Sequence, residues 1–191
     1  YVYRLPFMQL GPMSRELRSR RPLRLEDAWA VRDHCPSVAL VSPAIQVPMF
    51  LKRAIAGREE VDSPRVRGVF PDNVEVGNRV LAEGRFFTEQ ENEHRVPVMV
   101  LGWASAQALF PSGSAVGKQI LVDGRGYTVV GTLEKRKDSP LGGQSEEDGL
   151  FLAPYYTMRR FYPAEDDHFL AVRSKHGELP AAIEEISTVL R

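Results

Sequence analysis

The sequence predicts an α+β fold, and three observations predict it. Short runs of β-branched and aromatic residues alternate irregularly with short helical patterns, without the regular strand-helix spacing of a parallel α/β sheet. Asp123-Gly124 stands between two such runs and reads as a hairpin turn. After Pro71 the texture changes to shorter elements with clear boundaries. At 191 residues such a chain can bury roughly 70% of its unfolded surface and fold without staples.

Taken in order, "YVYRLPFM" suits a strand, with Pro6 implying an edge position or an early end. "SRELRSRRPLR" follows as an arginine-dense connector, in which Arg15, Arg18, Arg20, Arg21 and Arg24 lack the interleaved aromatics of a nucleic-acid platform. Residues 25–33 place Leu25, Ala28 and Trp29 at helical spacing, with Glu26 and Asp27 in the first turn and Pro36 as the stop. Residues 38–55, restricted to edge or bent geometry by Pro43 and Pro48, and 61–70, containing Pro64 and Gly68, read as two extended segments pairing through the turn 57–60. Asp72 with Glu75, and Thr88 with Glu91, have capping-box spacing.

"VPVMVL" is a continuous apolar run, buried on both faces if it is a strand, and "WASAQALF" is helical up to Pro111. "QILV" and "YTVVGTL" form the hairpin, which Gly117-Lys118 opens. Residues 135–149, rich in charge and glycine, are expected to be the most mobile interior stretch. "LFLAP" is a strand, "YYTMRRFY" a helix, "HFLAVRS" a strand, and "LPAAIEEISTVLR" a helix with Ile183, Ile186 and Leu190 packing along one side.

The residues argue for no catalytic, cofactor or metal site. Gly113 to Gly117 leaves three intervening residues where a phosphate-binding loop has four, and Gln119 replaces the metal-binding hydroxyl, so ATP is expected neither to bind nor to be hydrolysed. His34, His94, His168 and His176 are scattered; the closest pair is eight residues apart, roughly 26 Å along a strand. Ser105 and Ser114 lack a nucleophile-elbow context. Cys35 at a helix end reads as a partly buried, inert thiol. The acid clusters Glu146-Glu147-Asp148 and Glu165-Asp166-Asp167 lack calcium-loop spacing and read as solvated loops. The 25 basic and 25 acidic residues balance, which gives no field for nucleic acid.

The order of "PLRLEDAWAVRD", "PSVALVSP", "RVRGVFPDNVEV", "LAEGRFFTEQE", "VPVMVLGWASAQALFP", "AVGKQILVDGRGYTVVGTLEKR" and "GLFLAPYYTMRRF" resembles the periplasmic core domain of MacB-like, FtsX-like ABC transporter permeases. "EGRFF", the series in which "VLG", "LFP", "VGK" and "VVG" follow in that order, and "FLAP" are its most specific pieces. Arg24 departs from the family's usual Thr or Ser, which predicts a helix less well capped by roughly 1 kcal/mol, and Ser114-Ala115 stands where Asp-Pro is common.

The resemblance implies a porter-like α/β subdomain built from both chain ends, 1–70 with 155–191, and a smaller inserted α/β subdomain, 71–154, the whole inserted between two membrane helices on the periplasmic side of the bacterial inner membrane. It implies a non-catalytic domain coupling ATP-driven helix movement to substrate export or partner action. Its implied partners are a second permease copy, the cognate ATPase and a periplasmic adaptor protein, with the two chain ends on the same end of the molecule. Two rivals make other demands: a free-standing peptide- or lipid-binding module needs an apolar cleft lined by aromatics, and a hydrolase needs titratable groups converging in one pocket.

Overall fold

The structure, a computed structural model, describes residues 2–3, 21–136, 145–166 and 168–190. Its eleven strands form one mixed sheet: β1 (Val2–Tyr3), β2 (Val38–Val47), β3 (Arg53–Ala56), β4 (Glu59–Asp62), β5 (Arg65–Val69), β6 (Leu81–Gly84), β7 (Val98–Leu101), β8 (Gln119–Val122), β9 (Arg125–Leu133), β10 (Leu150–Pro154) and β11 (His168–Ser174). The order is β1-β11-β2-β5-β10-β7-β9-β8-β3-β4, with β6 on the free half of β9. The pairs β5–β10 and β7–β9 are parallel and the rest antiparallel. The helices are α1 (Leu25–His34), α2 (Asn73–Val76), α3 (Glu89–Glu93), α4 (Trp103–Leu109), α5 (Tyr155–Phe161) and α6 (Leu179–Val189), with a 3-10 turn at Glu146–Gly149. Among the described residues no helix is long and apolar enough to cross a membrane.

The apolar run at β7 is buried on both faces, as its composition demands. Met99 and Leu101 join one cluster with Ile45, Phe151, Tyr127, Leu109 of α4 and Met158 of α5. Val98 and Val100 join the opposite cluster with Leu150, Leu152, Phe169 and Phe87. A third cluster joins α1, α6 and the sheet through Val31, Cys35, Leu170 and Ile186. Val2, Val189 and Leu190 all pack against it, so the described residues nearest the two chain ends meet on one apolar patch. Tyr1, Arg191, Pro6 and the arginines from Arg15 to Arg20 lie outside the described residues.

Several local expectations hold, because short-range chemistry decides them. Asp123 and Gly124 both take positive φ, 51° and 73°, closing the β8–β9 hairpin with the hand that strand twist favours. Thr88 Oγ1 accepts from Glu91 N at 3.2 Å while Glu91 Oε2 accepts from Thr88 N at 2.8 Å, completing the capping box of α3.

Other expectations give way to tertiary partners. Asp72 has helical backbone and caps nothing; its carboxylate instead accepts from Ser42 Oγ at 2.6 Å. The start of α1 is not left open by Arg24, because Asp27 reaches back to accept from Arg24 N at 2.8 Å and is itself gripped by both Arg21 guanidinium nitrogens at 2.8 and 2.7 Å. Residues 38–55 are not one strand. A turn at residues 49–52, closed by Lys52 N to Met49 O at 3.0 Å, separates β2 from the β3–β4 hairpin, so β2 pairs with β5 while β3 crosses to β8. Ile183 on α6 is exposed, whereas Ala182 and Ile186 make the buried contact.

The capping box carries a pH prediction. Hydrogen bonds from Arg85 hold the Glu91 carboxyl down at about 2 against an ordinary 4.5, with burial opposing and the Thr88 backbone assisting. A carboxyl lowered on folding contributes stability that is present above pH 4.5 and lost as pH falls toward 2. Glu91→Gln should therefore cost about 1 kcal/mol at neutral pH. Urea unfolding of both proteins should show that deficit closing across this acid window; a deficit independent of pH would contradict the assignment.

Candidate functional site

Among the described residues, a cleft of about 390 Å³ lies where the segment after α2, the end of β9 and the 3-10 turn meet. Its lining is charged: Arg79, Lys135 and Arg136 face Glu134, Glu147 and Asp148, with Asn78, Val80 and Leu133 completing the wall. A smaller cleft of about 160 Å³ shares Arg136 and Glu147 and is bounded by Val76, Gly77, Ala171 and Val172.

Arg79 is the hub, with only 2% of its side chain exposed. Its Nη1 donates to Asn73 O at 2.7 Å and to Asn73 Oδ1 at 2.6 Å, and its Nη2 reaches Glu147 Oε1 at 3.4 Å. Arg136 contacts the other Glu147 oxygen at 2.9 Å, donates to Gly77 O, and donates its backbone N–H to Asp148 Oδ1 at 3.0 Å. Lys135 lies over the Trp103 ring at 5.0 Å. These contacts tie the segment after α2, the exit of β9 and the 3-10 turn into one joint.

In the acid run Glu146-Glu147-Asp148, Glu146 stays exposed beside Arg65 at 3.4 Å, whereas Glu147 is paired in the joint and Asp148 is buried, so the run is not simply a solvated loop. The last turn of the stretch 135–149 is built into the protein, while residues 137–144 lie outside the described ones. In the second acid run, Glu165 O and the Asp166 carboxylate accept from Arg159, and Asp167 is outside the described residues. No group of three or more metal-binding side chains gathers among the described residues. The cleft has converging titratable groups, and among the described residues its lining holds no Ser, Thr, Cys, His, Tyr or other aromatic. Cys35 is buried, which pushes its thiol up.

A second polar clamp joins distant segments at the hairpin turn. Asp123 Oδ2 accepts from Lys52 Nζ at 2.6 Å and from Tyr162 Oη at 3.0 Å, and Arg125 stacks on Tyr162 at 4.9 Å. Burial and the Asp123 carboxylate push the Tyr162 hydroxyl up to about 12. In the core, Tyr155 Oη and His168 Nε2 lie 2.7 Å apart.

The glycine-lysine pair is tied into the fold. Gly117 N donates to Val129 O at 2.8 Å, and Lys118 stacks over Phe110 at 4.9 Å, which ties the turn to the end of α4. The neighbouring β6–β9 contact is closer still. Arg85 N donates to Val130 O at 3.0 Å, and a Cβ on Gly84 or Gly131 would fall 2.3 Å from a backbone oxygen of the opposite strand. "EGRFF" and "VVG" are thus two sides of one tight contact, with Phe87 buried beside it. A family model described as the MacB-like periplasmic core domain matches residues 3–189. The chain belongs to that family.

The relatives agree with the membership. The chain is 25% identical over 134 residues to the macrolide export ATP-binding/permease protein MacB of Syntrophobacter fumaroxidans, covering 70% of this chain and 18% of that protein. It therefore spans less than a fifth of that relative's length. The periplasmic region of MacB from Actinobacillus actinomycetemcomitans shares the fold with a TM-score of 0.71 at 18% identity, over 92% of this chain and 76% of that one. The extracellular domain of the noncanonic ABC-type transporter YknZ from Gram-positive bacteria does so with a TM-score of 0.69 at 18% identity, over 88% and 82%. The α+β architecture with one mixed sheet is common to this chain and these structures.

Sequence reasoning missed Arg79 and Asp148. Their polar type predicts exposure, and only their partners from other segments explain burial. The one available signal was Asp72-Asn73-Val74-Glu75, which marks a local turn but not the arginine that would fold over it.

Proposed function

We propose that the chain is a non-catalytic extracytoplasmic domain of an ABC transporter permease, which couples ATP-driven movement of membrane helices to substrate export or to the action of a partner protein. On this reading it sits at the periplasmic face of the bacterial inner membrane, held by flanking helices, and works with a second permease copy, the cognate ATPase and a periplasmic adaptor. The porter-like part, 1–70 with 155–191, and the inserted part, 71–154, act as one lever. Family membership supports the setting.

The observation that carries the coupling is the continuous sheet. Described strands of both parts share it, and β10 hydrogen-bonds to β5 on one side and β7 on the other. The Asp123 clamp braces the same connection at another point, through Lys52 and Tyr162. A displacement applied at one end of such a body is carried to the other as a rigid movement, because packed cores resist continuous deformation.

Spin labels at the exposed positions Arg58 and Glu184 test this in the full-length permease reconstituted in membranes. The distance between the two labels within one copy should stay constant between nucleotide-free and ATP-bound states, while the Arg58-to-Arg58 distance between copies should change. A changing distance within the copy, or an unchanging one between copies, would refute the lever.

A further inference from the structure

The charges of the cleft beside the 3-10 turn are unequally paired. On one side Glu147 lies between two guanidinium groups, with Arg79 Nη2 at 3.4 Å from one oxygen and Arg136 Nη2 at 2.9 Å from the other. That corner holds two cations to one carboxylate, and Arg136 keeps 40% of its side chain exposed. On the other side stands Asp148, which lines the cleft although it is only 1% exposed. Its Oδ1 accepts from Arg136 N at 3.0 Å, but its Oδ2 is buried without a hydrogen-bond partner, and among the described residues no cation pairs with this carboxylate.

A buried carboxylate oxygen without a donor is costly, and native proteins hold few of them. Asp148 is not placed to relieve this by turning out to solvent. Its other oxygen is bonded, its backbone N–H donates to Ser145 O at 3.0 Å, and its carbonyl is packed so closely on Gly102 that a Cβ there would lie 2.5 Å away. Between the two corners, Val80 and Leu133 give the cleft an apolar wall, and Glu134 and Lys135 add one charge of each sign.

We propose that the cleft binds a small zwitterion, a primary ammonium joined by a short carbon chain to a phosphate, as in phosphoethanolamine. The ammonium donates to Asp148 Oδ2, the phosphate pairs with Arg136, and the carbons lie on Val80 and Leu133. Each half of the ligand is needed. An anion alone would leave Asp148 Oδ2 without a donor, and a cation alone would meet Arg79 and Arg136 uncompensated. Phosphate suits the cationic corner because guanidinium groups match its several acceptor oxygens. A quaternary ammonium does not suit the other corner, since it has no N–H to donate and is gripped by aromatic cages, whereas the described lining has no aromatic. The cleft, about 390 Å³, falls at the lower end of the roughly 300–1,000 Å³ of small-molecule sites.

The test uses the chain alone without nucleotide, so its failure leaves the coupling proposal standing. Isothermal titration calorimetry should show saturable one-to-one binding of phosphoethanolamine with a Kd of about 1 mM or tighter. Inorganic phosphate, ethanolamine and phosphocholine should each bind at least about tenfold more weakly. Asp148→Asn and Arg136→Gln should each weaken phosphoethanolamine binding at least about tenfold, while Arg58→Gln, exposed and elsewhere, should leave it unchanged. The Arg136 backbone N–H, which shares the Asp148 carboxylate, should shift in NMR spectra on saturation. Unfolding midpoints confirm that the variants are folded; should Asp148→Asn not fold, Arg136→Gln and the choline comparison decide. Retention on phosphatidylethanolamine vesicles but not on phosphatidylcholine vesicles makes the ligand a lipid head group, and binding of free phosphoethanolamine without retention makes it a solute. Neither binding nor retention, which would leave Asp148 Oδ2 to water alone, equal affinity for inorganic phosphate or phosphocholine, or a folded Asp148→Asn variant that binds unchanged would each overturn the proposal.

Discussion

Arg79→Ala should destabilise the protein by about 3 kcal/mol, the range for removing one member of a buried, hydrogen-bonded charge group. Nearly all of the side chain is withdrawn from water, and its guanidinium holds the Asn73 carbonyl, the Asn73 side chain and Glu147 together. Alanine would leave the Asn73 oxygens without these donors and open a cavity between α2 and the 3-10 turn. Gly77→Ala should reproduce much of the loss by another route. A Cβ there would lie 2.1 Å from Arg79 Nη1 and 2.7 Å from Cζ, so the guanidinium must leave its seat. The two changes therefore attack the same contact, and residues that share a contact do not add. Gly77→Ala should cost about 2 kcal/mol in the parent chain and little in an Arg79→Ala background. Urea unfolding of the four proteins measures the cycle. Simple additivity would mean that Gly77 acts through its own backbone, and that the joint is not organised around Arg79.

The same joint shows where sequence reading stops. Elements decided within a few residues were legible: the Thr88–Glu91 box, the Asp123-Gly124 turn, the stop at Pro36 and the apolar run of β7 all depend on short-range geometry or on composition. Asp72 had the same local credentials as Thr88 and did otherwise, because Ser42, thirty residues away in sequence, offered its carboxylate a better partner. Pro48 signalled a bend beside residues 49–52, but not the turn that sends β3 across to β8, since Leu51 takes a conformation that its side chain disfavours. Long-range pairing decided that point. The candidate site was the least legible part. Glu147 and Asp148 look like solvated acids until Arg79 and Arg136 arrive from segments about seventy and twelve residues earlier.

Gly131→Ala should cost at least about 3 kcal/mol, more than ordinary overpacking, because the collision is with backbone. The added Cβ would sit 2.3 Å from Arg85 O and 3.1 Å from both Arg85 C and N, where no side-chain rotation can relieve it. Relief requires β6 to move off β9. That movement would break the Arg85 N to Val130 O bond and disturb Arg85, whose guanidinium grips Glu91 at 2.7 Å through both nitrogens. It would also lift Phe87 from the cluster that covers this side of the sheet. The loss should spread from one methyl group to α3. Gly126 on the same strand is the control: a Cβ there meets nothing within 4 Å, so Gly126→Ala should be neutral or stabilising by a few tenths of a kcal/mol. Denaturant midpoints separate the two variants, and amide exchange locates the damage, with Arg85 N–H exchanging far faster in Gly131→Ala. If the two variants unfold together, the close approach of β6 to β9 is not what "EGRFF" and "VVG" provide.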